Sequence, residues 1–213
     1  MPDRWEQQLS QGLAEMKLAA TAHQQRQLLD YLALLEKWNR AFNLTAVRDP
    51  SIVVSRQLLD SLSIQDLLHG EHVLDVGSGA GLPGIPLAIM NPERAFTLLD
   101  TNGKKTRFLR QAKLELGLDN VQVEQVRVEQ YHPPRLFDTI ASRAFASLPD
   151  MVELTRHLLA PGGCWLAMKG TVPGDELDAL SGEINYEIHE LAVPGEDARR
   201  HGILICPSLT GKM

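Results

Sequence analysis

The stretch that decides the fold runs from His72 to Leu87 and reads His-Val-Leu-Asp-Val-Gly-Ser-Gly-Ala-Gly-Leu-Pro-Gly-Ile-Pro-Leu. It begins as an apolar strand, passes through a glycine-rich turn and continues as an apolar helix. Gly79, Gly81 and Gly84 have the spacing G-x-G-x-x-G, in which glycine lets the backbone approach a ligand closely. Because a strand precedes the turn and a helix follows it, the stretch predicts a cofactor site at the start of a βαβ unit.

Asp75, which lies two residues before Gly77, narrows the choice of cofactor. In nucleotide-binding turns, a helix N-terminus and free backbone N–H groups face anionic phosphate, which a carboxylate would repel. S-adenosylmethionine has no phosphate and carries a sulfonium and an ammonium, so we predict that Asp75, Gly77 and Gly79 bind this cofactor. Two alternatives stay open on this motif alone: an NAD-type turn, and a strand-turn-helix without a ligand.

Two further segments fit the same cofactor. Asp100 ends the second predicted strand, 95–99, where a carboxylate can hold ribose hydroxyls. Val128 and Glu129 follow the third strand, where a backbone N–H and a carboxylate can bond the edge of adenine. Asp100, Val128 and Glu129 are therefore predicted to contact the nucleoside part of S-adenosylmethionine.

The remaining pattern predicts the fold class. Residues 1–70 contain amphipathic helices, including one over 52–68, and form a predicted N-terminal helical extension. Residues 71–213 alternate between strand-like and helix-like segments, which predicts a Rossmann-like α/β domain with a mostly parallel sheet. A turn is predicted at 161–163, and the segments 187–193 and 202–206 predict a C-terminal antiparallel hairpin.

Composition limits the class of protein. A chain of 213 residues suits one α/β domain with an attached element, and a net charge of −6 argues against indiscriminate binding of nucleic acid. Neither an apolar stretch long enough to cross a bilayer nor a secretion signal is apparent, so we expect a soluble cytoplasmic protein without a membrane partner. Cys164 and Cys206 are too few for a disulfide framework and lack metal-ligand spacing; we expect both to be buried and inert, and we predict no metal site.

Several basic residues are candidates for binding RNA. Lys104, Arg107 and Arg110 recur every three residues on one side of a predicted helix, where they suit a phosphate backbone or, equally well, a solvated helix face. Arg40 and Arg48 are the only residues of the extension that we single out.

The segment at the end of the fourth predicted strand, 142–146, lies at the sheet edge where ligands bind. Arg143 can contact a cofactor carboxylate, an RNA phosphate or a guanine edge, and it can instead pair with Asp75 or Glu129 to hold loops. Phe145 can stack on a base, and Lys169 after the fifth strand is a weaker RNA-binding candidate. No catalytic residue is assigned beyond Arg143 as a candidate.

Taken together, these segments resemble the bacterial 16S ribosomal RNA guanine-N7 methyltransferases, the RsmG family, also called GidB. The resemblance is carried by segments spread over most of the chain: 37–45 (KWNRAFNLT), 59–61 (LDS), 75–86, 98–100 (LLD), 103–105 (GKK), 127–129 (RVE), 142–148 (SRAFASL) and 169–170 (KG).

The resemblance implies a class I S-adenosylmethionine-dependent methyltransferase that modifies a guanine in the 530 loop of 16S ribosomal RNA, alone or in the small ribosomal subunit. It implies that the cofactor contacts Gly77, Leu82, Val128, Glu129 and Arg143. We expect the enzyme to act as a monomer.

One departure from the family concerns the residue after Arg56. The family's Arg-His-x-Leu-Asp-Ser segment would place His there, whereas this chain has Gln57. The alternatives to the family function are a methyltransferase of the same fold acting on a small molecule or protein, and a non-catalytic ribosome-binding module.

Overall fold

The structure is a computed structural model that describes residues 2–180 and 184–208. Its centre is a seven-stranded sheet in the order β3-β2-β1-β4-β5-β7-β6. The first five strands are parallel, and β7 and β6 form the antiparallel hairpin that the sequence predicts. The strands are β1 His72–Val76, β2 Ala95–Leu99, β3 Val121–Glu124, β4 Phe137–Arg143, β5 Leu159–Lys169, β6 Ile184–Glu190 and β7 His201–Pro207.

Helices cover both faces of the sheet. They are α1 Pro2–Glu15, α2 Ala22–Phe42, α3 Asp60–Leu62, α4 Gly84–Met90, α5 Gly103–Leu116, α6 Leu148–Thr155 and α7 Gly174–Asp178. One apolar cluster packs α1, α2, α4 and α5 against the sheet, and a second cluster packs α6 and α7 against the other face. Within the described ranges, no helix combines the length and the apolar character needed to cross a membrane.

The N-terminal extension is built on α2. Thr21 and Gln24 form a reciprocal capping box at its start, and Asn43 ends it in the left-handed conformation. Tyr31 and Leu35 are buried on the side of α2 that faces the rest of the chain, and Trp38 packs edge-on against Phe108 of α5. The extension therefore shares its core with the helices on one face of the sheet.

The helix predicted over 52–68 is divided into three short elements. Val54–Leu59 is a π-helix, α3 follows it directly, and Gln65–Leu67 is a 3₁₀ turn. The apolar periodicity of the segment indicates which residues are buried, but it does not distinguish an α-helix from a π-helix, whose turn holds one more residue. The segment is helical throughout much of its length, but it is not the single helix that was expected.

The predicted turn at 161–163 lies inside β5. The register of β5 against β4 shifts between the pairs Phe137–Leu159 and Thr139–Cys164, so this part of β5 forms a bulge. Gly162 adopts a φ of 79° there, a conformation that glycine reaches without strain.

Cys164 is buried as expected and Cys206 is half-buried, but the expectation that both are inert is wrong, because the two form a disulfide. Antiparallel pairing of β5 with β7 aligns Trp165 with Ile205, which brings the preceding and following cysteines opposite each other, with a Cα–Cα distance of 4.5 Å. Forty-two residues separate them in sequence. The pairing depends on the register of two strands that the sequence alone does not align.

Candidate active site

The glycine-rich turn follows β1 at the carboxyl edge of the parallel strands. Gly77, Gly79 and Gly81 all have positive φ, at 69°, 59° and 90°. The N–H groups of Gly77 and Ser78 both donate to the carbonyl of Leu99, at 2.9 and 3.1 Å, which ties the turn to the end of β2. A Cβ on Gly79 would meet no atom closer than 3.8 Å, so this part of the turn faces open space.

Asp75 lies beneath this turn and is buried. Its Oδ2 accepts a hydrogen bond from the N–H of Gly84 at 3.0 Å, which anchors the start of α4 to the end of β1. Its Oδ1 is buried and has no hydrogen-bond partner among the described residues. Burial raises the pKa of Asp75 to about 7, although the Gly84 N–H and the Arg143 guanidinium act in the opposite direction. The free oxygen is suited to a cationic donor, which would also favour the ionised carboxylate.

Asp100 closes the turn from the end of β2. Its Oδ2 accepts the N–H of Gly79 at 2.9 Å and lies 3.9 Å from the ammonium of Lys105, and its Oδ1 accepts the N–H of Asn102 at 2.8 Å. Each carboxylate oxygen keeps a further lone pair for a ligand hydroxyl. The structure thus brings the two predicted acids to either side of the same glycine turn.

A cavity of about 340 Å³ opens at this edge of the sheet. Five of the predicted site residues line it: Gly77, Asp100, Val128, Glu129 and Phe145. Val128 is buried and Glu129 is exposed at the start of a 3₁₀ turn that follows β3. Lys105 also lines the cavity; the sequence did not predict it as a cofactor ligand, although it follows Lys104 in the basic segment.

Phe145 and Leu82 both pack within the chain, and their roles in binding RNA and the cofactor stay predictions. Phe145, predicted to stack on RNA, packs over the glycine turn, so that a Cβ on Gly77 would lie 2.8 Å from its ring. Leu82, which the resemblance assigns to the cofactor, is buried in the core shared with the extension and does not line the cavity.

Arg143 faces the extension rather than the cavity. Its Nη1 donates to Oδ2 of Asp60 at 3.0 Å and to the carbonyl of Arg56 at 3.1 Å. Neither Asp75 nor Glu129, the loop partners considered from the sequence, makes an ion pair with it. Ala144, the next residue, has a φ of 59°, which turns the chain sharply toward the cavity.

Asp60 also binds Arg200, whose Nε donates to Oδ1 at 3.1 Å. Arg200 in turn lies 3.6 Å from Glu196, which accepts from Arg56 at 2.7 Å. These five charged residues, Arg56, Asp60, Arg143, Glu196 and Arg200, are called the ion cluster below. The sequence did not predict this role for Asp60 or Arg200. The one signal was the position of Asp60 in the Leu59-Asp60-Ser61 motif.

The predicted RNA-binding residues fall into two groups. Lys104, Arg107 and Arg110 are exposed on α5 and line one open cavity, while the adjacent Phe108 and Leu109 point into the core. The other group is engaged within the chain: Arg40 pairs with Glu36 at 2.9 Å, Arg48 donates to Asn43 at 2.7 Å, and Lys169 pairs with Glu176 at 2.9 Å.

Comparison with known proteins places this site in context. The family model GidB, described as rRNA small subunit methyltransferase G, matches residues 24–203. Ribosomal RNA small subunit methyltransferase G of Ectopseudomonas mendocina is 56% identical over 205 residues, covering 95% of this chain and 96% of the relative. The protein of the same name from Marinobacter nauticus is 56% identical over 203 residues, covering 95% of each chain.

Among solved structures, an O-methyltransferase from Bacillus cereus in complex with SAH superposes with a TM-score of 0.60 at 17% identity, covering 98% of this chain and 100% of that one. At that identity the likeness concerns the fold, and it confirms the predicted class I methyltransferase architecture.

Proposed function

The chain belongs to the rRNA small subunit methyltransferase G family, and from this premise we propose that it transfers a methyl group from S-adenosylmethionine to N7 of a guanine in the 530 loop of 16S ribosomal RNA. The observation that carries the cofactor assignment is the free, buried Oδ1 of Asp75 beneath a turn of three glycines with positive φ. A methyltransferase acting on a small molecule or protein would use the same cofactor site, so the substrate assignment relies on the family.

The residues around the turn fit the parts of S-adenosylmethionine. Asp75 suits the ammonium of the methionine portion, and Asp100 suits the ribose hydroxyls. Val128 and Glu129 suit the adenine, with Phe145 as an apolar wall of the same cavity. When bound, the cofactor supplies an electrophilic methyl group on a positively charged sulfur.

Guanine N7 has an available lone pair and loses no proton when it is methylated, so its reaction requires no general base. Among the described residues, those that line the cavity include no His or Cys, in keeping with that chemistry. The task left to the protein is to orient the two reactants and to stabilise positive charge as it passes from sulfur to the purine. Arg143 is proposed as a positioning residue, because its bonds to Asp60 and to the carbonyl of Arg56 hold the end of β4 against the extension.

The exposed face of α5 is proposed as the RNA-binding surface. Lys104, Arg107 and Arg110 line one open cavity and make no ion pair with a described carboxylate, so their charges are available to phosphates. The face adjoins the cofactor site, because Asn102 caps α5 and also donates its N–H to Asp100. We propose that the enzyme acts as a cytoplasmic monomer on 16S ribosomal RNA or the small ribosomal subunit.

The experiment that tests the function is transfer of labelled methyl from S-adenosylmethionine to small ribosomal subunits isolated from cells that lack this enzyme. Nucleoside mass spectrometry should detect 7-methylguanosine, and fragment mapping should locate it in the 530 loop. The Asp75→Asn variant serves as the control for cofactor-dependent transfer. If the enzyme binds S-adenosylmethionine but methylates neither subunits nor naked RNA, the ribosomal RNA function is wrong.

A further inference from the structure

A second cavity, of about 210 Å³, lies within the N-terminal extension. Its apolar lining comes from α1, α2 and the segment 47–53 that precedes the π-helix, and includes Trp5, Leu35 and Val53. A single water needs roughly 10–15 Å³ of such space, so this cavity can take a ligand far larger than one water. None of its lining residues also lines the cofactor cavity.

The polar feature of this cavity is Gln57. The residue is 1% exposed, and its Oε1 has no hydrogen-bond partner among the described residues. Its Nε2 lies 3.5 Å from Oγ1 of Thr45, at the limit of a hydrogen bond. Exchanging the oxygen and nitrogen of the amide leaves the other atom without a partner, so in either orientation one buried polar atom in the wall of the cavity is unsatisfied. A buried polar atom in this state is unfavourable until a ligand pairs with it.

The backbone at this position is also unusual. Gln57 lies in the π-helix Val54–Leu59. This conformation is rare in proteins, and where it occurs it is often at a functional site. The carbonyl of the preceding residue, Arg56, accepts from Arg143 at 3.1 Å. On the other wall, α2 carries Tyr31, whose hydroxyl donates to the carbonyl of Ala80 in the glycine turn at 2.7 Å. The cavity is therefore linked to the cofactor site through two of its walls.

The rim of the cavity indicates a ligand that carries negative charge. Arg48 is exposed and its guanidinium donates to the neutral side chain of Asn43. Arg40 pairs with Glu36 four residues earlier on α2. Because the pair is exposed, a phosphate can replace Glu36 as the partner of Arg40 at little cost in free energy. A ligand with flat apolar faces, a hydrogen-bonding edge and an attached phosphate matches this combination of lining and rim.

We propose that this cavity receives an unpaired nucleobase of the RNA substrate, a base that flanks the guanine to be methylated, and that Gln57 hydrogen-bonds its edge. The inference rests on the proposed function, since it takes the substrate to be RNA. The occupant is a flanking base because the cavity shares no lining residue with the cofactor cavity. Arg40 and Arg48 would then contact the phosphates on either side of that base.

The first test measures methyl transfer to small ribosomal subunits by Gln57→Leu, which removes the polar edge at similar size. We expect the KM for subunits to rise about fivefold to tenfold, as for the loss of one hydrogen bond. The kcat and the affinity for S-adenosylmethionine should stay within about twofold, and the melting temperature should be equal or higher because an unsatisfied polar group has been removed. The Gln57→His variant, which keeps a donor and an acceptor, should recover most of the loss, and Val53→Phe, which fills the cavity, should reproduce it.

Two results would overturn this inference. An unchanged KM in Gln57→Leu together with a higher melting temperature would make the cavity a packing defect. A fall in kcat at unchanged KM would place the reacting guanine itself there, contrary to the assignment of a flanking base.

A second measurement separates this inference from the proposed function, because it needs no methyl transfer. Trp5 lines the cavity, so its fluorescence should be quenched when a short single-stranded RNA binds. The quenching should be absent in Trp5→Phe and at least fivefold weaker in Gln57→Leu. If the wild-type enzyme transfers no methyl group but this pattern is seen, the cavity assignment holds and the proposed reaction fails. Quenching that is equal in wild type and Gln57→Leu would contradict the cavity assignment.

Discussion

The glycine turn and the ion cluster lie at the same edge of the sheet, yet different kinds of contact hold them in place. The turn is fixed by hydrogen bonds to backbone N–H groups over short separations, nine residues between Asp75 and Gly84 and 21 between Gly79 and Asp100. The ion cluster joins side chains that are 83 residues apart in the pair Arg143–Asp60 and 140 apart in the pair Arg200–Asp60.

The glycine turn and the ion cluster therefore depend on different parts of the chain. The glycine turn, with Asp75 and Asp100 on either side of it, is formed by one βαβ unit. The ion cluster instead depends on the extension, the end of β4 and the loop before β7 meeting correctly, since each of these contributes a member of it. Damage to the ion cluster should therefore spare cofactor binding, and damage to the turn should abolish it.

The largest expected effect is that of Asp60→Asn. Asp60 is buried and accepts from two guanidinium groups, which the substitution leaves without their anionic partner. Breaking a buried pair in this way costs about 3 kcal/mol of the free energy of unfolding. Denaturant unfolding should show that loss, and methylation of subunits should fall, while calorimetry should find the affinity for S-adenosylmethionine within about twofold of wild type.

Glu36→Gln is the matched control for this variant. It removes one carboxylate from an exposed pair with Arg40 and should change the free energy of unfolding by no more than about 0.5 kcal/mol. An equal loss of cofactor affinity and of subunit methylation in Asp60→Asn would show that the glycine turn and the ion cluster do not act separately.

The next effect is that of Gly84→Ala, which attacks the turn. The added Cβ would lie 2.2 Å from Cδ2 of Leu98 and 2.6 Å from Oδ2 of Asp75, so the start of α4 must shift away from that carboxylate. We expect a loss of about 2 kcal/mol in stability from overpacking, and cofactor affinity should weaken at least tenfold. Gly174→Ala is the control, because nothing lies within 4 Å of its Cβ position. Equal cofactor affinity in the two variants would remove Asp75 and Gly84 from the site.

The same contrast explains what the sequence could predict. Asp75 lies near the end of one predicted parallel strand, and Asp100, Val128 and Glu129 follow two others; because the carboxyl ends of parallel strands meet at one edge, the meeting of these residues follows from the predicted parallel sheet. The partner of Arg143 and the bond between Cys164 and Cys206 depend on how distant segments are placed against each other. The cavity at Gln57 depends on a π-helix, which apolar periodicity does not distinguish from an α-helix.

The third prediction concerns the exposed face of α5 as the RNA-binding surface. Replacing Lys104, Arg107 and Arg110 by Gln should weaken binding of ribosomal RNA about tenfold at low salt. The slope of log affinity against log salt should become shallower by about 2, since each phosphate contact on a single strand contributes about 0.7. Filter binding across a salt series measures both quantities.

The control for this triple variant changes the net charge equally. Arg26, Arg135 and Arg156 are exposed residues in three separate parts of the chain, and their replacement by Gln should leave the slope within about 0.5 of wild type. If both triple variants weaken RNA equally, net charge alone is responsible and α5 is not a defined binding surface.

The smallest effect concerns the pH dependence of cofactor binding. Burial raises the pKa of Asp75 to about 7, so the free protein takes up a proton there that the unfolded chain has already lost. The stabilising contribution of the protonated form is complete below about pH 4 and is lost as pH rises through about 7. The ammonium of the cofactor requires the ionised carboxylate, so binding should release a proton, and affinity should rise about fivefold between about pH 6 and about pH 7. Asp75→Asn should bind more weakly and without that rise, as measured by calorimetry in buffers of different ionisation enthalpy. A wild-type affinity that stays constant over this range would mean that the free Oδ1 of Asp75 does not face the ammonium. Asp75 would then only anchor α4, just as Asp60 anchors Arg143, and the glycine turn and the ion cluster would not differ in the kind of role that their buried acids play.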